Sequence, residues 1–501
     1  MKTTFALGVV LGGLSGVTPD LAPAQALAGV DLSVVEHELA NGMRFLVLPR
    51  HATPTVSFVV RYGVGGVNEI PGTTGIAHLL EHLLFKGTTT LGTLDIEAER
   101  VLFARMDAIQ DSIREMEAEG GQSEGVSLFK ERIERLEDEA AQYVVSNEMD
   151  RILSRNGARG LNASTDVEAT TYYVELPANR LELWFALEAD RMSNPVFREF
   201  YTERDVVAEE RRLRVETQSA GLLYEAHLRA AFAVHPYGQP VVGSMSDIRQ
   251  LDRSRVQEYY ERYYGPNNAV VAIVGDVDPD RTVELAERYF GNLAPRDPPP
   301  AVGRTEPVQA VERRVEVVFD AESQVRIGWH VPDEQHADTP ALSVLAALLT
   351  GGRTARLHRR LVLGDRTATR AGAAMGPGGR FPRLFTIDAI TLFPHKTGEI
   401  EAAVYEELDS LRHTPPSEAE LQRIRNQLEA GQVRGLTSHL GLAFQLAGAS
   451  STYGDWRVGF RLRERLAQVR PEDVRRVVRT YFTPGNRTVA SLIRGESGSG
   501  R

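Results

Sequence analysis

The stretch GIAHLLEHLLFKGT, residues 75–88, sets His78, Glu81 and His82 among Leu79, Leu80, Leu83, Leu84 and Phe85. On an α-helix, positions i, i+3 and i+4 share one face. His78 and His82 can therefore offer two imidazole nitrogens to one cation, with Glu81 projecting beside them. Zn²⁺ suits two histidines and a carboxylate with a fourth position left open. Such an ion acidifies water and polarises a carbonyl, and a glutamate placed here can act as general base. The pattern is H-x-x-E-H, the inverse of H-E-x-x-H. A lone histidine in an apolar run is ordinarily a satisfied core residue. Two at i and i+4 with a carboxylate between them point to chemistry.

The elements that must position this helix are duplicated along the chain. YYGPNNAVVAIVGD (263–276) parallels YFTPGNRTVASLIRGE (481–496). Each follows an amphipathic stretch, SRVQEYYERY or EDVRRVVRTY, turns at Pro-x-Asn and enters a β-branched run. SFVVRYGVGG (57–66) pairs with SQVRIGWHVP (323–332), and AHLLEHLLFKG (77–87) with LSVLAALLTGG (342–352). The expectation is an α+β protein of two homologous, strand-rich domains, residues 29–292 and 310–501, joined by the proline-rich linker 293–309. In the second copy Ser343, Ala346 and Ala347 stand where the first has His78, Glu81 and His82. The helix is thus expected to form without the polar residues, which assigns them to chemistry.

Gly87 and Gly352 are 265 positions apart, Tyr263 and Tyr481 only 218, so the first half carries about 47 extra residues. Residues 103–152 hold two charged amphipathic stretches around a Gly/Ser/Gln turn. They are expected to form an inserted helical hairpin, read as a solvated spacer.

The 501 residues are 42% apolar and 25% charged, an ordinary globular balance, and the net charge of −11 argues against a nucleic-acid surface as the main role. The absence of cysteine excludes disulfides, thiolate metal sites and cysteine nucleophiles. Lys2, FALGVVLGGLSGV and APAQALAG read as a secretory signal over 1–28, cut after Ala26 or Ala28. The alternative is an uncleaved anchor, for which the apolar run is shorter than the ~20 residues of a span. A periplasmic or secreted location is expected, with no stable membrane span after signal removal.

GGVNEIPGTTGIAHLLEHLLFKGT resembles the signature of the insulinase/pitrilysin family of zinc peptidases, peptidase family M16. So do GLNASTDVEATTYYVEL (160–176), ERDVVAEERR (203–212), HPYGQPVVGS (235–244) and YYGPNNAVVAIVGD. The resemblance covers nearly the whole chain after the signal. It implies two M16-type domains of the insulinase/LuxS-like metalloenzyme kind, as in the catalytic mitochondrial processing peptidase subunit and bacterial relatives. It further implies one Zn²⁺ per chain and hydrolysis of peptides or unfolded polypeptides in a closed chamber, with His78 and His82 as ligands and Glu81 as base. In the family the third ligand is a glutamate after a Val-rich stretch, with another glutamate seven residues earlier. ERDVVAEE offers Glu203, Glu209 and Glu210. Seven residues are nearly two helical turns, so Glu203 and Glu210 project together, with Val206 and Val207 between them on an inward face, whereas Glu209 lies about 100° away. Glu210 is expected as the third ligand and Glu203 as the carboxylate that orients a ligand or the water. Glu209 is the alternative ligand, and a solvated charge the alternative for Glu203. His82 and Glu210 are 128 residues apart, against roughly seventy to eighty in the family, and removing the insert leaves about 81.

In the family, the strand matching LNASTDVEATTYY lines the cleft and pairs with the substrate backbone, so Asn162 and Ala163 are the implied substrate contacts. Active relatives often add an arginine and a tyrosine from the second half. Here RTATRAGAAMGPGGRFPRLF (366–385) has Arg370 and Arg380 but no tyrosine. Either Tyr453 substitutes, or a second M16 chain supplies the group in a homodimer or heterodimer. Two other readings stand beside the peptidase: a non-catalytic or partner-dependent M16 assembly subunit, and a metal-dependent hydrolase of non-peptide esters or amides.

Overall fold

The β-branched runs become eleven strands among the described residues, 32–119 and 123–495 of the computed structural model. The signal segment expected at 1–28 lies outside the described residues. Strands β1 (Val35–Glu38), β2 (Arg44–Pro49), β3 (Thr55–Tyr62), β4 (Arg159–Thr165), β5 (Thr170–Pro177) and β6 (Ala269–Gly275) form one sheet in the order β1-β2-β6-β3-β5-β4. Strands β7 (Arg313–Phe319), β8 (Gln324–Val331), β9 (Ala368–Gly376), β10 (Arg383–Thr391) and β11 (Arg487–Arg494) form a second in the order β7-β11-β8-β10-β9. β2 runs parallel to β6 and β7 to β11; the other neighbours are antiparallel. Without β1 the sheets have the same order and the same directions. The sequence repeat is therefore a repeat of topology, and the fold is two α+β domains built on one strand order, as expected.

Each half enters its last strand from a short 3₁₀ turn, Pro266–Asn268 or Pro484–Asn486. The ladders then place Tyr62 opposite Ala269 and Trp329 opposite Arg487. With Ala269 and Arg487 equivalent, β3 and β8 correspond at 267 positions, one more than the pairing of 57–66 with 323–332 implies. The reason is burial: β3 is enclosed on both faces, so its sequence lacks the alternation that fixes register.

The two helices Ile96–Ala118 and Ser123–Ala141 form the expected hairpin, closed at its base by an antiparallel bridge between Thr93 and Val144. It is not a solvated spacer. Leu102, Phe103, Met106, Ile109 and Ile113 meet Val126, Ile133 and Ala140 within the core of the first half. The second half crosses from Thr350 to β9 through one short helical segment, His358–Gly364.

The halves exchange a helix. Ser219–Ala231 belongs to the first half but packs on β7, β8 and β11 of the second sheet. Leu223 packs with Ala490 and Leu492, and Arg313 donates to the carbonyls of Ala230 and Ala231 at 3.0 and 2.7 Å. His439–Tyr453, its counterpart in the order of the second half, packs on β3 and β6. There Phe444 meets Tyr173 edge-on, with ring centroids 4.9 Å apart, and Arg44 donates to the Ser450 carbonyl at 3.1 Å. The stretch 293–309 has no helix or strand, but it is tied along its length. Asn267 bonds the backbone of Arg296, Glu306 accepts the amides of Ala233, Val234 and His235, and Gln309 donates to Arg487.

Candidate metal centre

Two helices bring the candidate residues together. The first, Ile76–Leu83, buries Ile76, Ala77, Leu79, Leu80 and Leu83, so its polar residues fall on the remaining face. Its amino end is held by a buried acid: Glu69 accepts the amides of Gly75 and Ala77, both at 2.9 Å. The second, Phe200–Arg211, carries Glu203 and Glu210 two turns apart. Val207 is fully buried between them, whereas Val206 is 43% exposed. The inward face expected from both valines is thus narrower and rests on Val207 alone, because Val206 falls about 60° to the outer side of the Glu203 direction.

His78 Nε2 and His82 Nε2 lie 3.7 and 3.6 Å from the same oxygen, Glu210 Oε2. Neither separation is a hydrogen bond. Both are close to the roughly 3.4 Å edge of a tetrahedron whose centre is about 2.0–2.1 Å from each ligand atom. One ligand atom from each of His78, His82 and Glu210 lies within 4.8 Å of the others. The donor set and its spacing fit a zinc ion. Glu209 does not share in this: it is exposed and paired with Arg212.

The electrostatics suit a cation. Burial, helped by His82 and Arg214, pushes the His78 imidazole down to about 3, so it is neutral and able to ligate at physiological pH. Burial also disfavours a charged His82, but its Nδ1 bonds Glu203 Oε2 at 3.0 Å and that carboxylate carries its pKa above the ordinary value. Burial likewise works against a charged Glu203, yet His82 and Lys86 outweigh it and keep it ionised. Lys86 Nζ reaches Glu203 at 2.6 Å and Glu199 at 2.5 Å. Glu203 thus fixes the ring of His82 through the nitrogen turned away from Glu210. His78 Nδ1 is buried without a partner.

Glu81 lies on the same helix face. Burial raises its pKa, against a hydrogen bond from Thr165 Oγ1 to Glu81 Oε2 of 2.5 Å. Thr165 ends β4, the edge strand that also carries Asn162 and Ala163. Asn162 is exposed and Ala163 buried, and among the described residues β4 pairs with no strand but β5, leaving its other edge without a strand partner. Among the described residues the second half has no such site: the helix carrying Ser343, Ala346 and Ala347 packs against the one carrying Leu421 and Leu428, the counterparts of Glu203 and Glu210, which pack with its core.

Tyr453 reaches the seam between the halves, but its hydroxyl is held by Glu334 at 2.5 Å. Arg370 and Arg380 are exposed. The seam is fastened by Glu168, in the turn after β4. Its Oε1 accepts the amides of Gly379 and Arg380 at 3.0 and 2.8 Å and the hydroxyl of Tyr237. Thr165, Lys86 and Glu168 were not singled out by sequence reasoning. All three lie within the motifs GIAHLLEHLLFKGT and GLNASTDVEATTYYVEL, and that proximity was the available signal.

A family model described as Insulinase (Peptidase family M16) matches residues 44–101 and 117–244, and one described as Peptidase M16 inactive domain matches 250–428. The chain belongs to the M16 peptidase family. The gap between the matched segments, 102–116, falls in the hairpin. The zinc protease PqqE of Helicobacter pylori is 30% identical over 340 residues, 66% of this M16 chain and 64% of that protein's length. An uncharacterized zinc protease of Mycobacterium tuberculosis is 28% identical over 492 residues, 96% of this chain and 97% of that one. The crystal structure of a protease from Helicobacter pylori superposes with a TM-score of 0.78 at 27% identity, covering 92% of this chain and 99% of its own. The periplasmic protease PqqL of Escherichia coli shares the fold at a TM-score of 0.69 and 17% identity, with 93% of this chain covering 48% of that one. No described helix is long and apolar enough to cross a membrane.

Proposed function

We propose that the protein is a zinc-dependent endopeptidase acting on peptides or unfolded polypeptides in the periplasm or outside the cell. The observation that carries this reading is the convergence of His78, His82 and Glu210 beside Glu81, at the end of a strand with a free edge. His78, His82 and Glu210 hold one zinc, and Glu203 orients His82. When bound, zinc supplies Lewis-acid polarisation of the scissile carbonyl and acidifies the attacking water. Glu81 takes the water proton and returns it to the departing amine. Thr165 holds the Glu81 carboxylate toward the cleft until substrate arrives. An extended substrate adds to the free edge of β4 beside Asn162 and Ala163 through main-chain hydrogen bonds, so side-chain preference is broad. The second half, fastened at Glu168, forms the opposite wall.

The deciding experiment is Glu81→Gln. The variant keeps wild-type zinc content and fold, because the residue is not a ligand, and hydrolysis of a quenched fluorescent peptide falls by at least about 10²-fold. Substantial turnover by a folded, zinc-loaded variant would remove Glu81 from the reaction. Wild-type protein that binds zinc yet cleaves neither peptides nor unfolded proteins would favour the assembly-subunit reading, to which the inactive-domain match over 250–428 lends support.

A further inference from the structure

Hydrogen bonds join the helical hairpin at three places to the segments that hold the two ligand-bearing helices. The first is Arg198, just ahead of the Glu203/Glu210 helix and fully buried. Its guanidinium donates to Glu99 on the first hairpin helix at 2.6 Å. It also donates to the carbonyls of Thr88, Leu91 and Lys86 at 2.6, 3.1 and 3.2 Å, in the loop that follows the His78/His82 helix. One side chain therefore ties the exit of one ligand helix to the entry of the other, with the hairpin as third anchor.

The second place is the amino end of the Glu203/Glu210 helix, where the residue at the cap position, Glu199, supplies no side-chain bond to the helix amides. Glu137 of the second hairpin helix takes that part. Its carboxylate accepts the Thr202 amide at 3.2 Å and the Thr202 hydroxyl at 3.3 Å. The third place is Asp107 of the first hairpin helix, which accepts the Tyr201 hydroxyl at 2.9 Å and is gripped by Arg253 at 3.2 Å. Apart from that last grip, each of these bonds ends within a few residues of Glu203. Among the described residues the second half has neither the hairpin nor the candidate ligands, and its equivalent helix turns Leu421 and Leu428 into the core instead.

We propose that the hairpin is a brace that sets the distance between the ligand helices, with Arg198 and Glu137 as positioning residues for the metal centre. The proposal rests on the zinc-site reading above. Both residues act on the ligands through backbone, one by clamping two segments together and one by fixing the first turn beneath Glu203. Ligands held out of register by even a fraction of an ångström lose affinity before the fold is lost, and removal of groups that orient ligands weakens metal binding by about 10–100-fold.

The test measures zinc affinity of the full chain by competition with a chromophoric chelator, with circular dichroism as the control for folding. Glu137→Ala removes an acceptor at a half-buried position and leaves the core intact. It is expected to weaken zinc binding about 10-fold, and Glu137→Gln, which keeps an acceptor oxygen, to recover most of that loss. Glu99→Leu with Arg198→Met removes the buried pair together, so that no lone charge is left inside. It is expected to weaken zinc at least as much while the protein stays folded. Glu131→Ala, on the exposed side of the same hairpin helix, should change nothing. Wild-type zinc affinity in folded Glu137→Ala overturns the proposal, whether or not the double variant folds. Equal losses in Glu137→Ala and Glu137→Gln overturn it too, since positioning by a hydrogen-bond acceptor predicts rescue. A wild-type protein without zinc affinity would instead sink the zinc-site reading, and the brace with it.

Discussion

Replacing Glu168 by alanine should loosen the seam between the halves by a calculable amount. The residue is 5% exposed, and Oε1 alone accepts the Gly379 and Arg380 amides and the Tyr237 hydroxyl. Alanine leaves all three donors without an acceptor. The Arg380 amide is only partly buried and can find water, but the Gly379 amide and Tyr237 hydroxyl cannot. A buried donor stranded in this way costs about 1–3 kcal/mol. Two of them give roughly 4 kcal/mol, a large share of the roughly 5–15 kcal/mol that a folded domain typically has in hand. Glutamine keeps a carbonyl oxygen for the amides and should lose only about 1 kcal/mol. Urea unfolding followed by tryptophan fluorescence reads the difference, as a midpoint that falls far more for alanine than for glutamine at unchanged slope. An alanine variant as stable as wild type, or two variants equally weakened, would show that this carboxylate does not fasten the seam.

Alanine at His78, His82 or Glu210 should each abolish zinc retention by elemental analysis, while Glu209→Ala retains it, since Glu209 faces solvent with Arg212. Residues 32–292 produced alone should be poorly folded, because β3 and β6 lose the helix His439–Tyr453; co-production with 310–501 should recover a soluble, zinc-binding pair, read by size exclusion. Burial opposes ionisation of Glu420, but hydrogen bonds from Arg356 and Ser417 bring it down to about 2. Its folded pKa lies below its unfolded one, so it stabilises the protein above about pH 4.5 and that contribution fades as pH falls toward 2. Glu420→Gln should flatten the loss of thermal stability across that window. The effect is modest, because the group is half-buried at the surface and its pairing is partly screened.

The candidate ligand residues could be brought together from sequence because helical phase is a local property. His78, Glu81 and His82 share a face by spacing alone, and the same arithmetic separates Glu210 from Glu209. The two topological halves were equally readable, since Pro-x-Asn turns punctuate both. Register in β3 was not, because a strand buried on both faces has no alternation to read. Nor was the place of the hairpin: Glu99, Asp107 and Glu137 bond residues 65 to 99 positions away, and nothing in their own neighbourhood names those partners. The exchange of helices escaped for a related reason. The helix His439–Tyr453 is apolar enough to be covered, but amphipathicity does not say by which sheet.

That exchange sets the order in which the protein can fold. β6 closes the first sheet at Gly275, but the helix that covers β3 and β6 ends at Tyr453, roughly 180 residues later. At a synthesis rate of about 5–20 residues per second, the first half waits roughly nine to thirty-six seconds with one sheet face uncovered. During that interval the helices Ile76–Leu83 and Phe200–Arg211 exist in a chain that cannot yet finish its own core. The first half, with its candidate metal centre, is thereby kept from maturing until nearly all of the second half has been made, and contacts of such long sequence separation make the last step slow.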